Sequence, residues 1–116
     1  MPVQIERYTV ALLLLRPDAP QLDEQTAAAL QDLHMSHLAG LHESGQLLAA
    51  GPLLDDKFRG LSILNVPPAE ARRLKENDPA VVAGRFSVIV MPWMVPQGIM
   101  HFSRGHLPRS TAEVEG

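Results

Sequence analysis

Tyr8-Thr9-Val10-Ala11-Leu12-Leu13-Leu14-Leu15 is an apolar run on which the architecture of the chain turns. Val10, Leu12 and Leu14 alternate with Ala11, Leu13 and Leu15, so an extended chain here has two apolar faces. Such a strand needs cover on both sides, from helices on one and from helices or a partner chain on the other. The strand is expected over residues 7–16, where Arg16-Pro17-Asp18 ends it. The apolar run from Val10 to Leu15 is far short of the roughly 20 residues that a bilayer span requires. It lies behind Arg7 like a leader segment, but the proline break and the lack of a small-residue cleavage site favour a strand.

Working outward, residues 21–44 read as a long helix. At about 100° per residue, Leu30, Leu33, His34, His37, Leu38 and Leu41 share one face. Gln31, Asp32, Met35, Ser36, His42 and Glu43 share the other. Gly45 stands where a helix needs a residue after its C-cap. Residues 46–50 form a short strand closed by Gly51-Pro52, and Asp55-Asp56-Lys57 makes a polar turn. A third strand over 60–66 completes a hairpin. Pro67-Pro68 opens a helix over 69–76, since proline is tolerated in a first turn. Asn77-Asp78-Pro79 interrupts it, residues 80–83 add one turn, and Gly84 closes that turn. A fourth strand over 85–91 alternates around Phe86, Val88 and Val90 and is expected to stop at Pro92.

The order is βαββαβ, the ferredoxin-like arrangement of an α+β fold. Two helices cover one face of such a sheet. The apolar second face predicts a second copy packed sheet to sheet, a homodimer. Residues 1–94 form the domain and 95–116 a C-terminal extension. The first half of the extension is apolar enough to lie on a partner, and its last ten residues are expected to be mobile.

Composition removes several function classes. The chain has 116 residues, enough for one domain with its own core. It contains no cysteine, which excludes disulfides, a thiolate nucleophile and cysteine-ligated zinc and fits a reducing, cytoplasmic setting. A net charge of −3 and 4% aromatics offer neither a phosphate-binding footprint nor a base-stacking platform, so no nucleic acid is expected. There is no nucleotide loop or nucleophile elbow.

The stretch from His34 through Gly45 to Ala50-Gly51-Pro52 resembles the hallmark of the YciI-like, or YCII-related, proteins. Its elements are a helical histidine, a helix-ending glycine and a small apolar strand closing in Ala-Gly-Pro. Asp78-Pro79, followed by Val81-Val82-Ala83-Gly84 and a strand reaching Pro92-Trp93, resembles the second hallmark. The resemblance covers residues 7–93. It implies a ferredoxin-like fold, a dimeric α/β barrel and a His–Asp pair, here His34 and Asp78, as active site. One branch of that family resembles muconolactone isomerases and includes a dehalogenase acting on a chlorinated lactone. His37 departs from the family pattern.

Each candidate has a plain structural reading beside the functional one. His34 and His37 could be core histidines bonded to backbone. Asp78 would cap a helix turn in any protein, though a second carboxylate oxygen is left for His34. Arg16 could face an anionic substrate or be a surface charge, while Gly51 and Pro52 set the chain direction beside the pocket. His37 could orient a ligand. The spacing of His34 and His37 suits a metal only if Asp78 or Asp56 supplied a third ligand, so no metal and no cofactor is assigned. Two functions follow. One is a cofactor-independent acid–base enzyme, an isomerase, lyase or dehalogenase acting on a small anionic compound such as a lactone. The other is a ligand-binding or structural dimer in which the His–Asp contact only locks helix to sheet.

Overall fold

The computed structural model describes residues 2–114. Four strands form one antiparallel sheet in the order β2-β3-β1-β4: β1 (Ile5–Leu15), β2 (Leu47–Pro52), β3 (Phe58–Leu64) and β4 (Phe86–Pro96). Helices α1 (Glu24–Glu43), α2 (Pro68–Glu76) and the single turn α3 (Pro79–Val82) complete a ferredoxin-like α+β fold. A short 3₁₀ turn, Thr111–Glu113, follows in the tail.

The doubly apolar stretch is a central strand, flanked by β3 and β4. Thr9, Ala11 and Leu13 are buried under the helices, with Ser62 and Leu64 beside them on β3. Ala11, Leu41, Leu47, Leu64, Ala71 and Leu74 make the main core, and Leu13, Ala80 and Phe86 make a second cluster at the β4 end. The opposite face carries Val10, Leu12 and Leu14, paired with Met91, Ile89 and Ser87. Ile89, Met91 and Trp93 stand exposed on it.

Chain ends of the elements follow local chemistry. Asp23 caps α1 by accepting from Thr26 N at 2.7 Å. Gly45, at φ 83°, takes the left-handed conformation just after the Ser44 C-cap, and Gly84, at φ 82°, does the same after α3. These are positions where a side chain would be strained.

Two expectations are corrected. β4 does not stop at Pro92 but pairs with β1 as far as Ile5–Pro96. It is an edge strand, and an edge tolerates residues that lack an N–H. On α1, Leu33 is 56% exposed, whereas Gln31 and Met35 line a cavity. The helix packs on both β2 and α3 with that cavity beneath it, which turns its inward arc toward Met35 and Leu38. In the tail, residues 107–114 lie against α1 and the core. Leu107 packs on the main core, Thr111 donates twice to Asp32 Oδ1, at 2.9 and 3.1 Å, and Arg109 pairs with Glu43. Residues 115–116, the end of the segment expected to be mobile, lie outside the described residues.

Candidate functional site

The site begins with the break between α2 and α3. Asp78 is the N-cap of α3, and its Oδ1 accepts from Ala80 N at 2.8 Å. Pro79 at the first helical position has no N–H to satisfy. The second oxygen, Oδ2, lies 2.5 Å from His34 Nδ1 on α1. Asp78 is completely buried, and the His34 side chain is 12% exposed. A carboxylate has no hydrogen to give, so the shared proton sits on Nδ1. In the neutral ring Nε2 then carries the lone pair. One residue therefore both starts a helix turn and orients an imidazole.

His34 belongs to the wall of a cavity of about 750 Å³ between α1, the sheet and the tail. Phe86 stands beside it, with ring centroids 6.3 Å apart. Gly51 and Pro52 are also in the wall, at the open end of β2. Leu107, Pro108 and Thr111 close one side from the tail. Three cationic residues, Arg59, Lys75 and Arg85, join the wall, and among the described residues no aspartate or glutamate does. A cavity with positive groups and no acid favours an anionic guest.

The remaining sequence candidates lie elsewhere. His37, one turn along α1, donates from Nε2 to the Leu74 carbonyl at 3.0 Å and is not in the cavity wall. That carbonyl is in the last turn of α2, where helical partners run out. Arg16 forms an exposed ion pair with Asp18, at 2.8 and 3.0 Å, away from the cavity. Asp56 offers only its backbone carbonyl, to Arg59 Nε at 3.0 Å. His101 and His106 are exposed. Among the described residues no three histidine or carboxylate side chains converge on a metal position. No helix among them is long and apolar enough to cross a membrane.

Lys75 joins the site from outside the sequence candidates. It is completely buried, and its Nζ donates to Ser62 Oγ at 3.0 Å. Burial pushes its pKa down from 10.5 to about 8, against the opposing pull of Asp78. A signal was present: Ala71, Leu74, Lys75 and Asp78 recur at the spacing of one helical face. A lysine within that buried stripe points to something other than a solvated surface.

Comparison with known proteins adds the following. A family model described as YCII-related domain matches residues 10–94. Among solved structures, the chain is similar to a 5-chloro-2-hydroxyhydroquinone dehydrochlorinase from Burkholderia phenoliruptrix, in complex with 2,5-dihydroxybenzoquinone. The identity is 26% and the TM-score 0.53, over 74% of this chain and 92% of that one. No curated protein sequence matches the chain.

Proposed function

The chain belongs to the YCII-related family, and from that premise we propose that it is a cofactor-independent acid–base enzyme acting on a small anionic organic molecule. The observation that carries this reading is the contact between His34 Nδ1 and the buried Asp78 carboxylate at the edge of the cavity. His34 is the general base, and Asp78 is its positioning partner. With Nδ1–H held by Asp78, His34 Nε2 takes a proton from a carbon or hydroxyl next to a carbonyl. The imidazolium that forms is stabilised by the buried carboxylate. The electrons left on the substrate form an enolate. It either regains a proton from His34 at another atom, which is isomerisation, or expels a leaving group such as a halide, which is elimination. Neither route needs a redox partner.

The similar dehydrochlorinase acts on a chlorinated hydroxyhydroquinone, so such compounds join lactones in the proposed substrate class. Both present an acidic hydrogen beside an oxygen that becomes an anion. His37, Arg16, Gly51 and Pro52 complete the proposal in lesser roles. Gly51 and Pro52 border the substrate, His37 fixes α1 to α2, and Arg16 attracts anions at long range only.

A homodimer is part of the same reading. Val10, Leu12, Ile89, Met91 and Trp93 give the sheet an apolar outer face that a second copy would cover. Light scattering at micromolar concentration tests this, and a monomer would refute it.

The test of function is turnover of a panel of chlorinated hydroxyhydroquinones, lactones and enol esters by wild type and His34→Ala. Loss of about 10²- to 10⁴-fold in kcat/KM is expected for the variant. Equal rates would defeat the acid–base assignment and leave the structural-dimer alternative.

A further inference from the structure

The His34–Asp78 pair handles a proton but does nothing to hold the anion its reaction creates. Lys75 is the group in the same cavity wall with free capacity to do so. An ammonium has three N–H donors. Among the described residues, Ser62 Oγ is its one hydrogen-bond partner, at 3.0 Å. The residue is completely buried, and taking a charge out of water without full compensation costs stability. A methionine of similar length would fill the same space without that cost. The lysine also sits in the last turn of α2, with its carbonyl accepting from Asp78 N at 3.1 Å. The chain that places the carboxylate thus places the ammonium.

Resting on the acid–base reading above, we infer that Lys75, steadied by Ser62, is the substrate's anion-binding residue and receives the carboxylate, enolate or phenolate oxygen. Ser62 lies on β3 in the floor of the cavity, and Lys75 reaches it from α2. The substrate oxygen supplies the acceptor that the protein withholds. Arg59 and Arg85 are half-buried members of the wall with partners of their own, a carbonyl for Arg59 and the Phe86 ring, 5.2 Å away, for Arg85. They raise the local concentration of anions, while Lys75 makes the directional contact. This assigns specificity as well as binding. A neutral analogue of the same shape gains nothing from the lysine, and an analogue lacking the acidic oxygen leaves it unpaired.

Two probes of matched shape test the assignment: 2,5-dihydroxybenzoquinone, an acidic quinone that is anionic at neutral pH, and its neutral dimethoxy ether. Binding to wild type, Lys75→Met and His34→Gln is measured by calorimetry, with thermal unfolding in parallel. For Lys75→Met the expected result is an affinity for the anion about 10- to 100-fold weaker, the range of a charge-assisted hydrogen bond. The neutral ether is expected to bind as in wild type, and the melting temperature to stay level or rise. Unchanged anion affinity overturns the inference. So does a lowered melting temperature with both probes lost alike, which would make the lysine structural. Lys75→Gln repeats the test should the methionine variant fail to fold. A wild type that binds neither probe overturns the inference, while the acid–base reading stands or falls on the turnover panel. Lysine-dependent anion binding with full turnover by His34→Gln leaves the anion site standing and removes the base.

Discussion

His34 and His37 lie one turn apart on the same helix, and what each ring meets separates them. His34 Nδ1 meets the buried Asp78 carboxylate, and its other nitrogen belongs to a cavity-lining residue. His37 Nε2 meets a main-chain carbonyl of α2. A carboxylate can only accept, so Asp78 holds His34 by its Nδ1–H. A carbonyl needs only an N–H, so it employs His37 as a clamp that satisfies a helix end. Identical side chains thus take different partners, which α2 and α3 bring to them.

The largest expected effects fall on the first ring. His34→Ala lowers kcat/KM by about 10²- to 10⁴-fold. Asp78→Asn is the finer probe, because asparagine still caps α3. Its amide can donate to Nδ1 and so leave the proton on Nε2, where a base needs a lone pair. Steady-state rates should therefore fall for Asp78→Asn while far-ultraviolet circular dichroism stays unchanged. A variant as active as wild type would put the two histidines on an equal footing.

Lys75 comes next, through pH. Its pKa is about 8 in the folded protein against 10.5 for an ordinary lysine. Below about 8 both states hold the proton, and the folded state bears the full cost of burying the charge. Between those values the unfolded chain binds more protons, so stability rises with pH. The depressed pKa corresponds to a rise on the order of 3 kcal/mol. Urea midpoints near neutral pH and near pH 10 should show that gain in wild type but not in Lys75→Met.

His37→Ala should cost about 1–2 kcal/mol in unfolding, the penalty of an unsatisfied buried carbonyl. Its kcat should remain close to wild type. A large loss of kcat with unchanged stability would make His37 a second working imidazole. The smallest effect belongs to the outer edge of α1. Asp32→Ala releases Thr111 and should cost under about 1 kcal/mol, since the contact is solvated. Amide exchange in residues 107–114 is the readout.

Much of the fold was legible because periodicity reports burial. The run from Thr9 to Leu15 announced a central strand, and Gly45 and Gly84 marked helix ends that left-handed geometry requires. The end of β4 was not legible. Pro92 forbids a ladder bond only where a neighbour asks for one, and strand order decides that. On α1 the wheel put Leu33 inward, yet the cavity beneath the helix displaced the buried arc. At the site, His34 and Asp78 were visible as residues, while their 2.5 Å contact spans 44 positions and needs the fold. Lys75 was hidden by its type, because a lysine in a helix is ordinarily read as surface.

The most direct measurement is a long-range ¹H–¹⁵N correlation spectrum of the histidine rings in the uniformly labelled protein near neutral pH. Opposite tautomers of the neutral rings, one turn apart, are the expected result: His34 protonated on Nδ1 with a bare Nε2, and His37 protonated on Nε2 against the Leu74 carbonyl. Finding His34 protonated on Nε2 with a bare Nδ1 would contradict it, because the carboxylate would then not be holding the ring and the cavity would contain no base.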